Sequence, residues 1–256
     1  MPRYFLEVAY KGTHYSGFQV QLNANSIQAE IEKALEVYFR RKFELTCSSR
    51  TDAGVHAMQN YFHFDTADLG HDSKRSEYHL NSILPDDIVI KNIIPVNETA
   101  HARFDALSRE YSYHISRVKD PFLRDRSYHF PYKIDLSAMQ EAAGLLMNYQ
   151  DFTSFSKRNT QVKSFICNII HSRWVEGEHG ISYQVQANRF LRGMVRGLTG
   201  TMLQVGRGKI GLDEFTQIIE ERNAIKAKFD VPAQGLFLVK VNYPESIFKT
   251  GKKDPE

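Results

Sequence analysis

Phe43 to Thr66, FELTCSSRTDAGVHAMQNYFHFDT, reads as two strands joined by a loop. The apolar run Phe43 to Cys47 predicts the first strand, and the alternating run Gln59 to Thr66 predicts the second. Between them, Arg50-Thr51-Asp52-Ala53-Gly54-Val55-His56-Ala57 sets a carboxylate two residues after a guanidinium and two before a glycine. A loop of this kind can hold an ionised Asp at a cleft, with an opposite charge beside it that favours the charged form. Asp and Gly are also ordinary turn residues, so taken alone the stretch reads first as a tight turn.

The flanking segments complete a unit around this pair of strands. Arg3 to Tyr10 reads as a strand, and Lys11 to Asn25 as a loop rich in Gly, Asn and Gln. Ile27, Ile31, Ala34, Leu35, Tyr38 and Phe39 recur at helical spacing behind Asn25 or Ser26 as N-cap. A helix over 73–82 and a strand from Asp87 to Val96 follow. The order is β-α-β-β-α-β, the split unit of ferredoxin-like domains.

The second half repeats that order without a residue-level repeat. Leu107 to Arg117 alternates as a strand, and Asp135 to Met147 is helical. Ser164 to Val175 and Ile181 to Asn188 form a second strand pair, turning at Glu176-Gly177-Glu178-His179-Gly180. Phe190 to Val205 and Leu212 to Glu221 read as helices, and Leu236 to Val241 closes as a strand. The expected fold is α+β: two ferredoxin-like, RRM-like βαββαβ halves, with sheets side by side and a basic central cleft. The seam is expected near Thr99 to Ala106, giving halves at 1–105, with the Asp loop, and 106–256, with a glycine- and arginine-bearing helix.

Composition narrows the function classes. The chain has 256 residues, 42% hydrophobic and 25% charged, with a net charge of +3. That is enough for a sizeable core and only mildly basic. Cys47 and Cys167 lie far apart, which fits neither a disulfide framework nor a four-ligand zinc site. Two reduced thiols in a cytoplasmic protein are the expected reading. No run approaches the length of a membrane span, and the start breaks too soon for a signal peptide. The chain contains no Walker A, HExxH or G-x-S-x-G sequence, and its histidines form no ligand-spaced cluster with the cysteines. No metal and no nucleotide cofactor are therefore expected.

Three other stretches have the residue types for chemistry. From His179 to Leu212 there is no Asp or Glu, yet Arg189, Arg192, Arg196, Arg207 and Lys209 all occur. On a helix, Arg189, Arg192 and Arg196 would share one face, and Gly193, Gly197 and Gly200 a second stripe. Each mid-helix glycine costs about 1 kcal/mol against alanine, so backbone or ligand is expected to come very close. The arginines suit a phosphate or a buried carboxylate, or equally a solvated basic face.

In the strand 109–117, Arg109, Tyr111, Tyr113 and Arg117 fall on one face, where they could stack bases or simply pack their rings. His101-Ala102-Arg103-Phe104 adds a cation at the seam. Gly206-Arg207-Gly208-Lys209-Ile210-Gly211 matches the dinucleotide glycine pattern, which would make a nucleotide-cofactor enzyme. It follows a helix instead of a strand, so the required context is missing.

These residues belong to a longer series. Tyr10-Lys11-Gly12-Thr13-His14-Tyr15-Ser16-Gly17-Phe18-Gln19-Val20-Gln21 precedes the Asp loop. After it come Leu84-Pro85-Asp86-Asp87-Ile88, His101-Ala102-Arg103-Phe104, Arg109-Glu110-Tyr111-Ser112-Tyr113 and Asp151-Phe152-Thr153-Ser154-Phe155. Asn188-Arg189-Phe190-Leu191-Arg192-Gly193-Met194-Val195-Arg196 and Gly235-Leu236-Phe237-Leu238 complete the order. The chain strongly resembles the TruA family of tRNA pseudouridine synthases over nearly its whole length. It departs from the pattern after Thr160, where Ser164-Phe165-Ile166-Cys167-Asn168-Ile169 lacks a basic residue that the family commonly has.

The resemblance implies cofactor-free isomerisation of uridine to pseudouridine in the anticodon stem-loop of tRNA, at roughly positions 38 to 40, by a homodimer that recognises shape and phosphates. It makes Asp52 the catalytic carboxylate, acting either as a nucleophile or as a base. Arg196 would pair with Asp52, and Tyr111 would lie against the flipped uracil. Arg50 would fill the space that the base leaves. Arg103 and Lys119 would contact the RNA backbone. A non-catalytic RNA-binding or chaperone protein of the same fold is the competing reading.

Overall fold

The computed structural model describes residues 1–67, 69, 73–157 and 162–248. The chain divides into two compact units, Met1–Leu107 with Lys240–Glu256, and Ser108–Val239. The stretch from Lys240 onward belongs to the first unit.

The first unit comprises β1 (Arg3–Tyr10), α1 (Ile27–Phe39), β2 (Thr46–Cys47), β3 (His56–Asp65), α2 (Ser73–Ile83) and β4 (Ile88–Val96). β1 is central and antiparallel to both β3 and β4, with β2 on the far side of β3. This is the βαββαβ order that the hydrophobic pattern predicts. Phe5, Leu6 and Val8 of β1 are fully buried. α1 lays Ile27, Ile31, Ala34 and Leu35 on the core. Its N-terminus is closed by Ser26, whose Oγ accepts the Ala29 N–H at 3.3 Å.

The second unit comprises β5 (Ser108–Ser116), β6 (Tyr128–His129), α3 (Leu136–Leu145), β7 (Ile169–Gly177), β8 (Gly180–Ala187), α4 (Met194–Gly206) and α5 (Leu212–Glu220), and begins β9 (Leu236–Asn242). β8 lies between β5 and β7, antiparallel to both, and β6 runs parallel to β5. β9 is the other neighbour of β5, where the rings of Phe237 and His114 meet at 4.9 Å. The same unit is thus repeated, with β6 and α5 as additions.

Three elements start later or run shorter than the periodicity predicts, each because backbone groups find other partners. The strand over 43–48 shrinks to Thr46–Cys47, because Glu32 of α1 accepts the Leu45 N–H at 3.2 Å and takes it from the ladder. The strand expected from Ser164 begins at Ile169, since the Cys167 N–H donates to Gln150 O at 2.8 Å and Asn168 N–H to the Asn188 side chain at 2.8 Å. α4 begins at Met194 and not at Phe190, because Gly193 at its N-cap takes φ +76°. Arg189 and Arg192 therefore precede the helix and do not form a face with Arg196.

α4 is almost wholly buried, and its glycines are packing residues. A Cβ on Gly200 would sit 2.2 Å from Lys228 O, and one on Gly197 would sit 2.7 Å from the Phe229 ring. The close approach that the glycines imply is thus made by the backbone and ring of 228–229. Thr201 Oγ1 bonds the same segment, accepting the Lys228 N–H at 3.0 Å. Gly200→Ala, which would normally stabilise a helix by about 1 kcal/mol, is expected instead to destabilise by roughly 1–3 kcal/mol in urea unfolding.

Candidate active site

The Asp52 turn hangs from one buried amide. Asn60 lies on β3, fully shielded from solvent. Its Nδ2 donates to Ser49 O at 3.0 Å and to the Tyr10 hydroxyl at 3.2 Å. Its Oδ1 accepts from Ser48 Oγ at 2.7 Å and from the Tyr61 N–H at 3.0 Å. Both donors and both lone pairs of the amide are used, as burial requires. Tyr10 extends the network, its hydroxyl lying 2.8 Å from Thr51 Oγ1. The backbone from Ser48 to Thr51 is thus tied to β1 and β3 just before Asp52.

The far side of the turn is closed by backbone. Asp52 O accepts the Val55 N–H at 3.1 Å, with Gly54 at φ +78°. The loop 11–25 lies directly against it: Phe18 N–H donates to Thr51 O at 3.1 Å, and Gly12 N–H donates to His56 Nδ1 at 3.1 Å. A Cβ on Gly12 would fall 2.0 Å from Val55 O, so no other residue fits there. His56 is buried, with its Nδ1 occupied by the Gly12 N–H. Asp52 itself is half-buried and Arg50 is exposed.

Arg50 and Arg103 both act on Cys47. Burial pushes the Cys47 thiol up to about 11, and the guanidiniums of Arg50 and Arg103 both oppose that shift. Arg103 stands on a turn whose Ala102 N–H donates to His63 Nδ1 at 3.1 Å. Burial, and then Arg3 and His101, lower the His63 pKa to about 4, which keeps it a neutral acceptor.

In the second unit the aromatic strand separates into different roles. Tyr113 is fully buried and donates to Pro232 O at 2.6 Å, and Arg109 donates to Asn188 O at 3.0 Å; both are structural. Tyr111 is half-buried and meets the Phe190 ring edge-on at 5.0 Å. Arg196, on the first turn of α4, donates from Nε to Val231 O at 2.9 Å and from Nη2 to Phe229 O at 3.4 Å. The guanidinium is held by the segment that the glycines admit. Lys119 is exposed, just after the bend that follows β5. Gly206 to Gly211 joins α4 to α5 instead of a strand to a helix, and Gly206 packs on Met139, so the nucleotide reading has no support. Among the described residues no cluster of His, Cys, Asp or Glu has the placement of a metal site.

The tRNA pseudouridine synthase family profile matches residues 7–105 and 142–244. The chain belongs to this family. Similar curated relatives include the tRNA pseudouridine synthase A of Bacteroides fragilis, 47% identical over 96% of this chain and 98% of its own. That of Bacteroides thetaiotaomicron is 44% identical, covering 99% and 95%, and that of Staphylococcus aureus is 35% identical, covering 95% and 93%. The matched residues fall in both units.

Asn60 was not singled out in the sequence, and Tyr10, Thr51 and Gly12 stood only within motifs, with no role of their own. The one available signal was that alternation puts Asn60 on the same face of β3 as Phe62 and Phe64, where burial demands partners. Asn60→Ala leaves several buried groups without partners and is expected to cost about 1–3 kcal/mol in urea unfolding. His63 supplies a pH test. Its folded pKa lies below the ordinary 6.5, so its contribution is present above that value and is lost as pH falls toward about 4. Stability should drop by roughly 2–3 kcal/mol across this window, and His63→Gln should flatten the dependence.

Proposed function

We propose that the protein isomerises uridine to pseudouridine in the anticodon stem-loop of tRNA, at roughly positions 38 to 40, without a cofactor and as a cytoplasmic homodimer. The observation that carries this reading is the fixed turn presenting Asp52, in a chain that belongs to the tRNA pseudouridine synthase family. Among the described residues no helix is long and apolar enough to cross a membrane, which agrees with a substrate free in solution.

The reaction breaks the bond between uridine N1 and the sugar, turns the base, and joins C5 to the same sugar carbon. Asp52 either attacks as a nucleophile or removes a sugar proton, and both roles need a positioned carboxylate. A stacked base cannot reach it, so the nucleotide leaves the stem, and exposed Arg50 fills the gap. Arg196 pairs with and orients Asp52, its guanidinium already anchored by two carbonyls. Tyr111, braced by Phe190, lies against the uracil and assists its proton transfer. Arg103 and Lys119, both exposed, hold phosphates.

Release of tritium from uridine-5-tritiated, unmodified tRNA, with no metal or cofactor added, tests this. Wild type should release tritium, and Asp52→Ala should be slower by at least about 10³-fold with tRNA affinity largely kept. Equal rates would remove Asp52 from the mechanism. Binding without release by wild type would favour a non-catalytic RNA-binding protein.

A further inference from the structure

Phe104 is 74% exposed yet firmly held. It sits on a turn in which nearly every backbone group is used. His101 Nδ1 accepts the N–H groups of Arg103 at 3.1 Å and Phe104 at 3.3 Å. Asp105 Oδ2 accepts the His101 N–H at 2.7 Å, and Arg3 donates to Ala100 O at 2.8 Å. The Tyr243 hydroxyl donates to Ala102 O. Ala100 and Ala102 are buried beneath the turn.

The ring is also part of a stack. It lies 4.3 Å from the His101 ring, tilted by 35°, and His101 in turn meets His63 at 4.7 Å. The Arg103 guanidinium stands 5.8 Å from the Phe104 ring centroid. Burial, together with Arg3 and Arg103, lowers the His101 pKa against the opposing pull of Asp105, which favours a neutral imidazole behind the ring. Arg50, two residues before Asp52, and Arg103 both oppose the burial-driven rise of the Cys47 pKa.

An aromatic held rigid and largely exposed, with one guanidinium at its ring, matches what unpaired nucleic acid needs. Every base has a π-face, and a guanidinium at the ring can meet the phosphate next to a stacked base. Resting on the pseudouridine synthase reading, we propose that Phe104, stacked on His101 and flanked by Arg103, is a platform on which an unpaired nucleobase of the substrate RNA stacks.

The test measures Kd for an unmodified tRNA transcript across a salt series, with full-length wild type and the Phe104→Ala, Phe104→Leu, Phe104→Trp and Arg103→Gln variants. Phe104→Ala should bind roughly five- to a hundred-fold more weakly, equivalent to about 1–3 kcal/mol. Its salt slope should match wild type, because no cation is lost. Phe104→Trp should bind as well as wild type, Phe104→Leu should resemble Phe104→Ala, and Arg103→Gln should flatten the slope. Melting temperatures should be unchanged at Phe104, since the ring is mostly exposed. Wild-type affinity in both Phe104→Ala and Phe104→Leu would overturn the platform while leaving the enzymatic reading intact. Loss of self-association with unchanged Kd would assign the ring to a second copy of the chain, which also overturns it. Failure of wild type to bind or convert tRNA would remove both readings together.

Discussion

The structure around the Asp52 turn depends on a buried side-chain amide satisfying all its hydrogen bonds at once. Asn60 holds Ser48, Ser49 and, through Tyr10, Thr51, so the residues leading to Asp52 have little freedom. A carboxylate used as nucleophile or base must be held close to its target geometry, since small misplacements are costly in rate. The fold supplies this by placing the turn between two strands of a β-rich core. The glycine-bearing loop 11–25 presses on its other side. In the second unit, residues 228–231 play the corresponding supporting part for Arg196.

Much of this was legible from the sequence, for physical reasons. Alternating and helical periodicities located β1, β3, β5, β8 and α1, because each buries one face. The order of elements, and with it the α+β class, followed. The elements that were misjudged are those where side chains compete for backbone groups. Glu32 capping Leu45 has no periodic signature, and neither does Asn188 capturing the Asn168 N–H. Gly193 looked like a helix-interior residue because the pattern around it is apolar, yet its positive φ starts the helix.

The candidate site was readable in a different way. Asp52 and Arg50 were conspicuous through charge in a turn, and Arg196 through a basic stretch without acids. Arg109 and Tyr113 shared the alternation of Tyr111 but spend their polar atoms on carbonyls inside the second unit. Alternation gives a face and not its surroundings, so it could not separate these three. Asn60 and Tyr10 were hidden for a related reason: their importance lies in partners distant in sequence.

The most direct measurement is nucleoside mapping of an unmodified tRNA transcript after incubation with the purified protein alone. The account predicts pseudouridine in the anticodon stem-loop, at uridines within roughly positions 38 to 40 and at no other uridine. A transcript that is bound but returned with every uridine unchanged, or modified only outside that stem-loop, would contradict it.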